Sequence, residues 1–373
     1  MFDYESDANT LSTLSESFNN SVLEKIRSRT PTITFIIQAE QDISSLRSAF
    51  ASGKLGPCLE RLSTVDKDIH PDAVLQAMLA HAAGASDDDK QTPRRYVACA
   101  IATAGQDNNF EQLIELANTW VRYLLWPFKA NKGDLRDLHS ASEITPTLTE
   151  TETLDFEDGL SRLESFKDAV KGRDGYRCIV TRSIDWDEVP LDSDECSTKV
   201  KAAHIFKRAA AAGKRTTKSF AEYATWGILR HFIALSEEEV AELDANIDYV
   251  YNGLTLEEIL HSAFGEFMCS LCPDPDHPNR YHFEYFTRGP LSSVSRCDIK
   301  AISFEECPAE VRPSRKLIQF HYSLAKVLHA SGVGRVIESM LERFLKGGSK
   351  QVTMSADDLE LYLSTERMSL MSL

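Results

Sequence analysis

The spacing of apolar positions predicts helices along the first third of the chain. Apolar residues recur at helical intervals from Val22, after Pro71, after Pro93 and after Asn109. A proline in the first turn, or an asparagine just before it, is a typical helix start. We therefore predict a mostly α-helical N-terminal domain over residues 1–137, in which no chemical motif is found.

A change of pattern follows this helical region. Residues 138–155 are rich in Ser, Thr and Glu, which is linker composition. An amphipathic helix is then predicted to start near Asp155, and short β-prone runs alternate with helices after it. The pattern predicts an α+β domain over 156–312, followed by C-terminal helices and a tail over 313–373. The predicted strands are 178–181, 198–206, 252–256, 267–271 and 281–287.

Composition narrows the class of protein. The hydrophobic fraction is 42% and the charged fraction 26%, as in globular chains. No apolar run is long enough to span a bilayer, and the acidic N-terminus has no signal-peptide core, so we expect a protein that is not secreted. Eight irregularly spaced cysteines suggest reduced thiols. We expect an intracellular protein, cytoplasmic or nuclear, with no membrane partner.

The charge is strongly uneven. The net charge is −16, yet residues 199–218 contain seven Lys or Arg and no Asp or Glu. A solvated loop is one interpretation of this basic segment, and a phosphate-binding surface is the other. The candidate nucleic-acid contacts are Lys201, Lys207, Arg208, Lys214, Arg215 and Lys218.

Three polar residues near the basic segment suggest phosphodiester chemistry. His204 lies on a predicted strand, Asn252 starts another, and His261 lies on the following helix. A histidine can take a proton from water near neutral pH, and amide oxygens and imidazoles can bind a divalent metal. A strand–strand–helix unit is expected to bring the three side chains together. The alternative is that they are structural residues.

The same residues carry a family resemblance. Ala203-His204-Ile205, then Asn252 to Leu256 (NGLTL) and Leu260 to Phe264 (LHSAF), resemble the HNH endonucleases of the ββα-metal fold. The match is to a subgroup common in fungal proteins, and it extends over about residues 155–345. The resemblance implies a small ββα-metal core with a helical insertion and a helical C-terminal extension.

The resemblance also implies roles. His204 would be the general base, His261 a metal ligand, and Asn252 either a ligand or the residue that positions the base. One divalent ion, Mg, Mn, Ni or Zn, would be the cofactor. The chain departs from the better-understood members at Ala203, where they have a metal-binding Asp or His. Four acidic residues are candidates to replace that ligand: Asp185, Asp187, Glu188 and Asp192.

A second metal site is conceivable further along. Cys269, Cys272, His277 and His282 have the spacing of a small zinc knuckle. The loop between them lacks the glycines that let a knuckle wrap a metal, so a hairpin with free thiols is the alternative.

Two functions follow from these observations. The first is a metal-dependent HNH endonuclease that acts on nucleic acid, with DNA as the expected substrate. The second is a catalytically degenerate HNH scaffold that binds nucleic acid or protein. In this second case the N-terminal helices would contact a protein partner.

Overall fold

The computed structural model divides the chain into two compact units. The first contains residues 1–131, 212–241 and 326–373, and the second contains 132–211 and 242–325. The units are therefore interleaved along the sequence, whereas the predicted domains are consecutive. The structure describes residues 16–55, 68–83, 93–130, 150–190, 193–207, 220–286, 301–346 and 359.

Helices dominate the described residues. In chain order they are α1 (Glu16–Arg27), α2 (Thr32–Ala51), α3 (Pro71–His81), α4 (Pro93–Ala104), α5 (Phe110–Trp120), α6 (Trp126–Ala130), α7 (Glu150–Arg173), α8 (Phe220–Ile233), α9 (Glu237–Ala245), α10 (Glu258–Gly265), α11 (Arg315–Ala330) and α12 (Val333–Lys346). The strands are short: β1 (Ile184–Asp185), β2 (Ser197–Thr198), β3 (Val200–His204), β4 (Gly253–Glu257), β5 (Cys269–Pro273), β6 (Arg280–Tyr285) and β7 (Ile302–Ser303). The predicted α+β class with a helical N-terminal region is confirmed. No helix in the described ranges has the length and apolar character needed to cross a bilayer.

Side chains cap the starts of two helices. The Oδ1 of Asn109 accepts a hydrogen bond from the Gln112 amide at the start of α5. Ser236 and Glu239 form a reciprocal capping box at α9, because each backbone amide donates to the other side chain. A π-helical turn, Val121–Leu125, joins α5 to α6 without a break, so Pro127 near the start of α6 does not end the helical path.

The start of α7 differs from the prediction. The helix begins at Glu150 and not at Asp155, so the last residues of the predicted linker are helical. Residues 138–149 of that linker lie outside the described part of the chain. The buried stripe of α7 includes Leu163, Phe166 and Val170, as its spacing predicts.

The second unit contains an antiparallel strand pair, β3 and β4, called the hairpin here although residues 205–252 separate the two strands. Strands β3 and β4 are antiparallel, with Val200 opposite Glu257 and His204 opposite Gly253. Helix α7 packs on the hairpin, and α10 follows β4 directly and also packs on it. A separate antiparallel sheet has the order β5-β6-β7.

The predicted strand 178–181 is wrong. Residues 179–181 form a turn, in which the Arg182 amide donates to the Cys178 carbonyl. The amide of Ile179 donates to the Thr255 carbonyl on β4, so the turn is anchored to the hairpin. Tertiary contacts therefore override the local preference of this β-prone run.

Candidate functional site

His204 ends β3, and its ring is held between an aromatic ring and a carboxylate. The ring stacks on Phe166 of α7, with centroids 4.1 Å apart and planes 14° from parallel. Its Nε2 lies 3.0 Å from Oδ1 of Asp248. Because an ionised carboxylate only accepts hydrogen bonds, Nε2 is the donor to Asp248, and in the neutral ring Nδ1 carries the lone pair. Nδ1 is therefore the basic atom of this pair.

Sequence reasoning missed both partners of His204. Asp248 is 44 positions away in the chain and belongs to no motif. Phe166 is one of several apolar residues on the α7 stripe, and nothing in the sequence distinguishes it. The only available clue to Asp248 is that it precedes Asn252 by one helical turn of sequence.

The face of the hairpin that carries His204 is fixed by its neighbours. Directly opposite residues of an antiparallel pair share a face, so His204 shares its face with Gly253. A Cβ at Gly253 would approach Val170 and Phe166 to within 3 Å, so this face lies tightly against α7. Glycine is needed there for close approach of helix and strand.

The other face of the hairpin carries Lys201, one of the predicted nucleic-acid contacts. Side chains alternate along a strand, so Lys201 and Ala203 point away from α7. Lys201 pairs with Glu258 at the start of α10, at 2.8 Å. His261 lies on α10 and is half-buried. Alternation thus places the side chains of His204 and Lys201 on opposite faces of the hairpin. The convergence of His204 with His261 stays a prediction.

Asn252 is fully buried at the start of β4, and its amide is used by the backbone. Its Oδ1 accepts from the Phe206 amide at 2.8 Å. Its Nδ2 donates to the carbonyls of Phe206 and Ile247, at 3.0 and 2.9 Å. These bonds fasten the residues after β3 to the segment that contains Asp248. Of the two roles open to Asn252, the geometry favours positioning of the base over metal ligation.

The residues do not fit a metal site built by the protein alone. Asn252 is engaged by backbone, and Ala203 offers no ligand. Asp185 pairs with Lys171 at 2.7 Å and is aligned with Thr198, beyond the end of β3 opposite to His204. Across the described ranges, no three His, Cys, Asp or Glu side chains are grouped as metal ligands.

The basic segment is only partly described. Lys201 is neutralised by Glu258, as noted above. Lys207 follows β3, and its Nζ lies 4.9 Å from the centroid of the Phe267 ring. The other four predicted contacts lie outside the described residues: Arg208, Lys214, Arg215 and Lys218.

The predicted zinc knuckle is not assembled. Cys269 and Cys272 are three positions apart on β5, so they point to opposite faces of the sheet. Cys272 lies opposite His282, whereas His277 and His282 both approach Asp274, at 3.3 Å. Burial raises the pKa of the Cys269 thiol far above its usual range, which disfavours the thiolate that zinc requires.

A buried histidine outside the motif joins three elements. His321 of α11 donates from Nε2 to the Phe264 carbonyl at 3.1 Å, and its Nδ1 accepts from the Ser270 hydroxyl at 2.8 Å. Its ring stacks on Phe264, with centroids 3.7 Å apart. The Ser–His pair resembles a nucleophile and its base, but both residues are buried away from any substrate. We therefore interpret it as structural.

The burial of His321 predicts acid sensitivity. Burial, together with nearby Lys207, lowers its pKa from 6.5 to about 3. Between those pH values only the unfolded chain gains a proton at this site. The free energy of unfolding therefore falls by about 1.4 kcal/mol for each pH unit by which the pH is lowered. Between pH 7 and pH 5, His321→Gln should lose about 2 kcal/mol less unfolding free energy than the unmodified protein. Urea titrations at both pH values test this, and equal losses would contradict it.

Comparison with known proteins agrees with the motif. Residues 178–271 match the model of a family described as HNH endonuclease. The matched range contains His204, Asp248, Asn252 and His261, and covers the hairpin and α10. No curated protein and no solved structure matches the chain. The resemblance to the HNH endonuclease family is thereby confirmed for residues 178–271.

Proposed function

We propose that this protein hydrolyses phosphodiester bonds in nucleic acid, with DNA as the expected substrate. The observation that carries the proposal is the His204–Asp248 pair within an HNH family match. A histidine oriented by a carboxylate is a common general base. The two side chains are 12% and 11% exposed, so the pair is near the surface and not sealed within the core.

The chain's own residues suggest how the reaction would proceed. The Nδ1 of His204 takes a proton from water as the water oxygen bonds to phosphorus. Asp248 holds the Nε2 proton and stabilises the imidazolium that forms. The phosphorus–oxygen bond to the leaving sugar then breaks, and the leaving oxygen takes up a proton. Lys207, which follows β3, supplies positive charge for the phosphate backbone.

A divalent ion is typical of the HNH family. Such an ion neutralises charge on the phosphate and the leaving oxygen. His261 is the residue of this chain that we would assign to it. Because the described residues provide no three-ligand group, the steps above are assigned to His204, Asp248 and Lys207 alone.

The second candidate is a binding scaffold on an HNH fold that has lost catalysis. Two observations favour it: position 203 is alanine, and the Asn252 amide is engaged entirely by backbone. In this case the motif residues would persist because they form the hairpin. The predicted protein partner of the N-terminal helices belongs with this candidate.

A plasmid-nicking assay separates the two. Supercoiled plasmid is incubated with the protein in Mg²⁺, Mn²⁺, Ni²⁺ or Zn²⁺, and in EDTA, beside a His204→Ala variant purified in parallel. We expect open-circular product with the unmodified protein and not with the variant. Nicking that survives in EDTA would show that the chain's own groups suffice. Binding to the plasmid without nicking in any arm would favour the scaffold.

A further inference from the structure

An exposed aromatic residue directly follows, in the chain, the carboxylate partner of the candidate base. Tyr249 is 52% exposed, and it directly follows Asp248, whose carboxylate bonds His204. Its ring lies against that of Tyr251, with centroids 5.4 Å apart and planes 41° from parallel. Tyr249 is one of the few large hydrophobic side chains that are exposed in the described part of the chain.

The backbone around Tyr249 is fixed on both sides. The Tyr249 amide donates to the Asn246 carbonyl at 3.0 Å, and the Asn252 amide donates to the Tyr249 carbonyl at 2.9 Å. The Asn252 side chain also holds the Ile247 carbonyl. A ring that is presented on such a bonded turn loses little conformational freedom when a ligand stacks on it.

Tyr251 supports the ring of Tyr249 as a neutral phenol. Burial, and then the nearby Glu242 and Tyr249, raise the pKa of Tyr251 to about 12. Tyr251 therefore stays uncharged at physiological pH and adds no negative charge beside a polyanion. The aromatic pair, defined as Tyr249 and Tyr251, thus lies on the segment that directly follows Asp248.

We propose that Tyr249 stacks on an unpaired base of the nucleic acid, so that the substrate is single-stranded or locally unpaired. This proposal rests on the proposed function. In a duplex the faces of each base are covered by neighbouring base pairs, and an aromatic side chain can reach them only when the base is unstacked. Stacking of bases on aromatic side chains is how proteins hold single strands without reading their sequence.

The test compares single strand with duplex. Fluorescence anisotropy at low salt measures binding of a labelled oligonucleotide and of its duplex by the unmodified protein, Tyr249→Ala and Tyr249→Phe. For Tyr249→Ala we expect the single strand to bind about 5- to 100-fold more weakly, and the duplex to bind as before. Tyr249→Phe keeps the ring and should bind the single strand within about twofold of the unmodified protein.

Trp186 provides the matched control. It is 56% exposed in the same unit, and its ring lies 5.9 Å from Nζ of Lys199, next to the end of β3 opposite to His204. Trp186→Ala should leave binding of both ligands unchanged. Circular dichroism melts of all the variants verify that the fold is retained.

The other outcomes are decisive. Unchanged single-strand affinity in Tyr249→Ala, an equal loss for strand and duplex, or no binding by the unmodified protein would each overturn the inference. If nicking depends on His204 while Tyr249→Ala binds normally, the proposed hydrolysis stands and the stacking role fails. If single-strand binding depends on Tyr249 but nothing is cleaved, stacking stands and hydrolysis fails.

Discussion

His204→Ala is expected to lower the nicking rate by at least about 100-fold while affinity for nucleic acid changes by less than about threefold. A general base acts on the transition state, so its loss slows the reaction far more than it weakens ground-state binding. Single-turnover nicking and anisotropy measured on the same preparations give the two numbers. An equal loss of cleavage and binding would instead identify His204 as structural.

Two further variants separate catalysis from folding. His277→Ala removes another histidine of the same unit, one that approaches the Asp274 carboxylate but lies outside the candidate site, and it should leave the nicking rate unchanged. Asp248→Asn keeps the size of the positioning residue and removes its charge. It should slow nicking and alter the pH profile of the reaction, whereas a residue needed only for folding would change the melting temperature and leave the profile unaltered.

The core of the site could be predicted because its residues lie close to secondary-structure signals. His204 ends a β-prone run, Asn252 starts the next, and His261 lies on an amphipathic helix, so the hairpin and the helix follow from local pattern. The carboxylate partner of the candidate general base, and the ring that stacks on that base, could not be predicted. Asp248 and Phe166 reach His204 only through strand pairing and helix packing, which leave no local pattern.

The sequence also does not predict which face of the hairpin each side chain occupies. Order alone suggests that a strand–strand–helix unit gathers its polar residues, but the side to which each side chain points depends on register. The backbone pairing of β3 with β4 sets that register, and it places His204 on the face that Phe166 covers. The same argument explains why the predicted zinc knuckle is not assembled. Two cysteines three positions apart can share a metal when they lie on a loop, but on a strand they point to opposite faces, as Cys269 and Cys272 do.

A buried ion pair holds this hairpin to α7. Arg173 ends α7, and its guanidinium makes two 2.8 Å bonds to the carboxylate of Asp174. It also donates to the carbonyls of Val250 and Gly253, each at 2.9 Å. Asp174 in turn accepts from the Thr255 amide at 2.9 Å. The pair therefore fastens the end of α7 to the start of β4, which directly follows Asn252.

Arg173→Ala should lower the free energy of unfolding of the second unit by about 3–5 kcal/mol, because it leaves the Asp174 carboxylate buried without its cation. Arg177→Ala is the matched control, four positions along. Its partner Glu195 is half-exposed, so water screens the pair and the loss should be below about 1 kcal/mol. Urea unfolding followed by circular dichroism measures the stability, and hydrogen exchange of the β3 and β4 amides localises it. Similar losses in both variants would mean that the buried pair does not hold the hairpin to α7.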